Sequence, residues 1–334
     1  MPTNRTTDFL RELLVRQVAT WLPAALHRSR RATVALAWAG ADGGGAEAVL
    51  RVVAGHAAQV RGRQVTVLVL ADDAADLPVR LGPIEAELPA EVTVHLLPGG
   101  PDRLPVAVKA AGAAGSPLFC FLDVPGEVPP PLLSAATNGR TGEVLLHAGS
   151  TTRAALVAAG FPLVAEVAPV LTADTAADAT DLADATDLAD GTDAAAVTDL
   201  AAAADAADVT GGAAAGVVAF GSRSDRSLEA VRDALWTVGA ELGVRYRDPA
   251  DPAAPPVDVT GAPALRPLAR KLLAELRLGG PRPVTELRRH TLTATVYRAA
   301  DANQALADLV KAGDVRRERD TGRLAGDELI TPTP

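Results

Sequence analysis

Apolar residues along the chain keep two different periods, and the points where the period changes mark the predicted elements. Near the start, Leu10, Leu14, Val18, Trp21 and Ala25 recur every three or four residues. That spacing predicts an amphipathic helix. Thr7 is placed to cap it, with Asp8 in its first turn and Pro23 near its end. From residue 33 the pattern becomes short, continuous apolar runs alternating with helical ones. TVALAWAG (33–40), QVTVLVLAD (64–72), VTVHLL (92–97), PLFCFLD (117–123) and GEVLLHAG (142–149) read as strands. The stretches 46–60, 77–88, 104–114 and 130–138 read as helices between them. Strands that are apolar throughout, each followed by a helix, predict a mainly parallel sheet covered on both faces, a Rossmann-like α/β architecture.

The pattern lapses after this core. Residues 172–216 contain ten Asp and 19 Ala with no Lys, Arg or Glu, and they repeat the unit ATDLAD. Leu182 and Leu188 offer too little apolar surface to offset the entropy of ordering, so an acidic, mostly disordered linker is expected. An acidic mimic of nucleic acid is the functional alternative. Order resumes with a strand at GVVAFGS (216–222) and a helix at 225–242, followed by a Pro- and Asp-rich break. Helical patterns at 264–278, 284–292 and 297–313 then precede two short strands around a turn at 314–332. Three helices and a β-hairpin in that order predict a winged-helix-like unit. The predicted organisation is an N-terminal helix (1–32), an α/β core (33–171), the acidic linker (172–215), the last strand and helix of the core (216–246), a Pro-rich linker (247–262) and the winged-helix-like unit (263–334).

Composition narrows the chemistry. The net charge of −9 is local, since removing the ten Asp of the acidic segment leaves about +1. Cys120 is the only cysteine and lies in an apolar strand pattern, so an intrachain disulfide is excluded and no metal is expected from thiolates. The five His (27, 56, 95, 147 and 290) lack metal-binding spacing. There is no G-x-S-x-G elbow and no Walker loop. The N-terminus lacks the apolar core of a signal peptide, and no apolar run approaches membrane-spanning length. A soluble, cytoplasmic protein without a membrane partner is expected.

Three places on the sheet could carry function. Gly40, Gly43, Gly44 and Gly45 follow the first strand, where glycine lets a backbone approach a ligand at a helix N-terminus; a plain turn is the alternative. Asp72 ends the second strand, where an acid can accept from ribose hydroxyls, or equally cap a helix. Asp123 ends the fourth strand in FLDVPG, at a favoured functional edge but also in good turn chemistry. The unit 263–334 holds 13 Arg and Lys against 9 Asp and Glu. Arg288, Arg289, Arg298, Arg316 and Arg317 are its candidate nucleic-acid contacts; a solvated face or a protein-docking surface is the alternative.

Taken together, Trp21-Leu22-Pro23, WAGADGG, FLDVPG, GEVLLH and SLEAVRDALWTV, followed by the winged-helix-like tail, resemble the three-Cys-motif partner protein family. The resemblance implies a class I methyltransferase-like fold, S-adenosylmethionine as cofactor and a three-Cys-motif protein as partner. It would put Gly40 and Gly43 in the cofactor loop, Asp72 on the ribose and Asp123 near the substrate. The chain departs from the family pattern at the loop: Leu36 stands where the family has an acid, and Ala41-Asp42 where it has Pro-Gly. FLDVPG replaces FLDPFG. A methyltransferase-like protein with an eroded cofactor loop is the first expectation. A non-catalytic protein binding nucleic acid or protein through its winged helix is the alternative.

Overall fold

A computed structural model describes residues 5–171, 216–319 and 322–333. The acidic linker and any mimicry by it therefore lie outside the described residues. The first helix, α1 (Arg5–Arg28), buries the predicted stripe of Leu10, Leu14, Val18, Trp21 and Ala25 and, beside it, Phe9, Leu13, Leu22 and Leu26; Thr7, expected to cap it, lies inside its first turn instead. The helix continues through Pro23, because the packed residues beyond the proline hold the last turn in place.

The core then runs β1 (Arg31–Trp38), α2 (Gly45–Gly55), a single turn α3 (Ala57–Val60), β2 (Gln64–Ala71), α4 (Leu77–Glu85) and β3 (Val92–Pro98). It continues with α5 (Leu104–Ala110), β4 (Pro117–Val124), α6 (Pro130–Ala136), β5 (Thr141–Ala148), α7 (Arg153–Ala158) and β6 (Leu163–Val170). After the undescribed segment come β7 (Val217–Ser222), α8 (Asp225–Leu242) and β8 (Arg245–Arg247). The eight strands form one mostly parallel sheet in the order β3-β2-β1-β4-β5-β7-β6-β8. β7 runs antiparallel to both β5 and β6. Leu171 and Gly216, which flank the undescribed segment, follow β6 and precede β7, so both lie at the carboxyl edge of the parallel strands.

Alternating strand residues divide between two cores. Val34, Leu36, Trp38, Phe119, Phe121 and Phe220 pack with α1, α2 and α8 on one face. Ala35, Ala37, Leu118, Cys120 and Leu122 pack with α5 and α6 on the other. Both faces are covered, which is why the strands carry no polar alternation. Cys120 is fully buried, and burial pushes its thiol far above the ordinary range.

α7 and β6 were not evident from the apolar pattern. β6 reads LVAEVAPV, and Glu166 and Pro169 interrupt the run. Glu166 is nonetheless buried, because its carboxylate accepts from the Thr152 backbone N–H at 2.7 Å and the Thr151 hydroxyl at 2.9 Å. The Pro-rich stretch 247–262 is pinned to the core: Val257 and Tyr246 exchange backbone hydrogen bonds, and Val259 is buried.

The C-terminal unit consists of α9 (Arg266–Gly279), β9 (Arg282–Pro283), α10 (Val284–Ala294), α11 (Ala299–Ala312), β10 (Val315–Arg317) and β11 (Leu329–Pro332). Its strands form an antiparallel sheet in the order β10-β11-β9. α8 fastens this unit to the core. Arg232 is fully buried and donates to the Leu292 carbonyl at 2.8 Å and the Val296 carbonyl at 3.4 Å. Trp236 Nε1 donates to Val296 as well, at 2.9 Å. Burial lowers the Arg232 pKa to about 10, and carbonyl dipoles rather than a carboxylate solvate the guanidinium.

Candidate functional site

β1 delivers the chain to the carboxyl edge at Trp38, and the Ala39 N–H donates to the Asp123 carbonyl at 3.0 Å, tying the glycine loop to the end of β4. Gly43 and Gly44 take positive φ values of 57° and 82°, which side chains disfavour, so glycine is required there on backbone grounds alone. Asp42 then anchors the start of α2. Its backbone carbonyl accepts from the Gly45 N–H at 2.9 Å and its Oδ2 accepts from the Ala46 N–H at 3.1 Å.

Asp42 is buried and carries a partner that sequence spacing could not supply. Arg80 on α4 donates to Asp42 Oδ1 at 2.9 Å, to Glu47 Oε1 at 2.7 Å and to Asp76 Oδ2 at 3.1 Å. Burial alone would lower the Arg80 pKa; its hydrogen bonds to Asp42, Glu47 and Asp76 outweigh burial and raise it. The one acid of the loop is thus committed to holding α2 and α4 together.

Two of the four glycine faces, those of Gly43 and Gly45, are occupied by the protein itself. A Cβ on Gly43 would run into the Thr7 methyl group of α1. A Cβ on Gly45 would lie 2.7 Å from Trp38 Cζ2. Arg11 also reaches the loop, with its guanidinium 3.5 Å from the Gly43 carbonyl. What remains between α1, the loop and the ends of β1 and β4 is a cavity of about 150 Å³ lined by Thr7, Arg11, Trp38, Gly43, Phe121 and Asp123. Ligand pockets are generally about 300–1,000 Å³.

The candidate residues fall into two groups. Gly43 and Asp123 share the small cavity; Gly40 and Asp72 do not line it. Gly40 has open space where a side chain would project. Asp72 is exposed, and its carboxylate lies across Gly100, beyond β3. Asp123 has a partner not anticipated from sequence: His147, directly opposite it on β5, with Nδ1 2.8 Å from Oδ1. The signal was there in the register, since both residues sit one position before the end of adjacent parallel strands. Such a pair can hold and relay a proton.

The basic candidates of the C-terminal unit are mostly matched by acids. Arg288 pairs with Glu229 at 2.7 Å, and Arg289 makes a two-pronged contact with Asp225, both on α8. The Arg289 hydrogen bond lowers the Asp225 pKa. Arg298 lies 4.2 Å from the Trp236 ring centroid and pairs with Asp301. Arg317 grips the buried Glu328 through Nε and Nη2 at 2.7 and 2.9 Å. With further bonds from the Arg319 and Ala325 N–H groups, this clamp pulls the Glu328 carboxyl down to about 2. Arg316 is exposed and makes no ion pair among the described residues. Phosphate binding needs cations that can displace the counterions held by the nucleic acid, and four of these five already have acidic partners within the protein.

Among the described residues no group of three or more His, Cys, Asp or Glu is arranged to hold a metal, and no helix is long and apolar enough to cross a membrane. Compared with known proteins, the chain matches no family model and no curated protein.

Proposed function

We propose that this chain is a methyltransferase-like protein of the three-Cys-motif partner type that no longer takes up S-adenosylmethionine and serves as a non-catalytic binding protein. The strand order supports the fold half of this reading: an antiparallel β7 inserted between β5 and β6 beside a parallel β3-β2-β1-β4-β5 run agrees with the methyltransferase-like fold that the resemblance implies. The helix and strand order of residues 266–332 supports a winged-helix-like tail.

One observation carries the functional half. The face of Gly43, which the resemblance puts in the cofactor loop, receives Thr7, and the neighbouring face of Gly45 receives Trp38, leaving about 150 Å³; Gly40 stays open but lies outside that cavity. The donor set does not fit the adenosyl group either. Leu36 replaces the family's acid, Asp42 is locked by Arg80, and Asp72 lies outside the cavity. The paired arginines favour a protein over a nucleic acid as the partner of the C-terminal unit, and a three-Cys-motif protein is the partner the resemblance implies.

A thermal-shift series tests the reading. A ligand at 100 times its Kd stabilises the native state by about 2.7 kcal/mol. Millimolar S-adenosylmethionine should therefore leave the melting temperature unmoved; a dose-dependent rise would overturn the proposal.

A further inference from the structure

The amino-terminal edge of the parallel strands carries a row of arginines. It lies at the opposite end of those strands from the glycine loop, so its charge is independent of how the loop is filled. Arg28 ends α1, Arg30 precedes β1 and Arg31 opens it; Arg61 and Arg63 lead from α3 into β2, and Arg140 immediately precedes β5. Strand pairing sets these turns side by side. Arg31 is in register with Gln64, whose N–H donates to the Arg30 carbonyl at 2.8 Å, and the Arg140 N–H donates to the Ser116 carbonyl at 2.9 Å, just ahead of β4. With neighbouring strands about 4.8 Å apart, the row from β2 through β1 and β4 to β5 is about 14 Å long.

Unlike the arginines of the C-terminal unit, these lack acidic partners. Arg28, Arg30, Arg31, Arg61 and Arg140 are exposed and Arg63 is half-buried. None of them makes an ion pair among the described residues. Arg28, Arg31 and Arg63 donate to the carbonyls of Ala24, Gly112 and Gln59 at 3.0, 3.2 and 3.0 Å. A guanidinium has five N–H donors, so one such bond orients the group and leaves the others available. Arg28, Arg30, Arg61 and Arg63, with His27, line an open cleft of about 600 Å³. The row stops at Glu91, ahead of β3, whose carboxylate accepts from the Gly62 N–H at 3.1 Å; that bond and, to a smaller degree, Arg61 keep its pKa low. Glu143, near the start of β5, is buried and accepts from the Ser227 hydroxyl.

A row of unmatched cations fits a linear polyanion. A nucleic-acid duplex carries one charge per about 1.7 Å of axis, about twice the density of even an all-acidic extended peptide, and it gains most from cations that displace its counterions. The arginine-bearing turns contain no Phe, Tyr or Trp, whereas proteins that hold single strands stack bases on aromatic rings. No large hydrophobic side chain is exposed in these turns, so the edge offers a lipid surface nothing to insert. Contacts made through phosphates alone position a duplex without reading its bases.

We propose that this arginine row docks the phosphodiester backbone of a nucleic-acid duplex, whatever its base sequence. The test is fluorescence anisotropy of the full chain with a short labelled DNA duplex and with one of its single strands, using poly-L-glutamate and phosphatidylserine vesicles as competitors. Saturable duplex binding is expected. With the four cleft arginines each on a phosphate, affinity should fall about 100-fold between about 50 and about 200 mM salt. Arg30→Gln with Arg61→Gln alters two exposed side chains that make no hydrogen bond among the described residues, so the fold should be kept. It should lower the salt slope by about two and weaken binding at low salt by about tenfold or more. Arg288→Ala with Arg289→Ala should leave duplex binding unchanged. The proposal is overturned by the absence of saturable duplex binding at low salt, by undiminished binding in Arg30→Gln with Arg61→Gln, or by a greater loss in Arg288→Ala with Arg289→Ala. Tighter binding of the single strand overturns it too, as does competition by poly-L-glutamate or the vesicles that equals competition by unlabelled duplex, charge for charge.

Discussion

Replacing Gly45 by alanine asks whether the Trp38 ring fills the place of a ligand. Gly45 opens α2 with ordinary helical backbone, so alanine is permitted there and would by itself favour the helix by up to about 1 kcal/mol. Opposing this, the new methyl carbon would lie 2.7 Å from Trp38 Cζ2, where carbon atoms normally stand about 3.5–4.0 Å apart. Trp38 cannot retreat freely, because it is 4% exposed and packs on Phe121 with ring centroids 5.5 Å apart. Overfilling a tight core costs about 1–3 kcal/mol. The net expectation is a loss of about 1–2 kcal/mol, seen as a lower urea midpoint by circular dichroism. Trp38→Phe removes the offending ring edge, so Gly45→Ala should cost about 1 kcal/mol less in that background. A neutral or stabilising Gly45→Ala, or strict additivity with Trp38→Phe, would show that the indole does not occupy the glycine face.

Further consequences concern other parts of the fold. Asp42→Ala leaves Arg80 without its most buried partner and the Ala46 N–H of α2 without its carboxylate acceptor, and should lower stability by about 3 kcal/mol, read from the same urea midpoint. Glu328 is held below its unfolded pKa, so its clamp contributes stability that is complete above about pH 4.5 and is lost as pH falls toward 2; acid unfolding of Glu328→Gln should show a flatter pH dependence across that window. Trp236→Phe removes the bond to Val296 and weakens the Arg298 stacking, and should destabilise by about 2 kcal/mol with early proteolysis of the C-terminal unit. Arg288→Ala with Arg289→Ala removes partly exposed ion pairs and should cost under about 2 kcal/mol in total, while leaving retention on heparin nearly unchanged; a large loss of retention would restore the nucleic-acid reading.

The layered sheet was readable from sequence because fully covered parallel strands are apolar at every position, as in Val34-Ala35-Leu36-Ala37-Trp38. β6 was hidden because its one acid is satisfied by Thr151 and Thr152, which no apolar pattern records. The site was legible only as a location. Four glycines after β1 mark a place where backbone comes close to something, but not whether that is a cofactor or Thr7, 36 residues upstream of Gly43. Likewise Asp42 meets Arg80 across 38 residues, and Arg289 meets Asp225 across 64. A count of arginines reports charge, and the fold decides which of those charges are already matched. His147 stood unremarked among scattered histidines until strand register set it against Asp123.

Isothermal titration of the full chain with S-adenosylmethionine, and separately with its demethylated product, tests the closed loop most directly. The account predicts dilution heats alone for both, and unchanged amide exchange across residues 39–46. A saturating isotherm for either compound, accompanied by new protection of the Gly43–Gly45 amides, would contradict it.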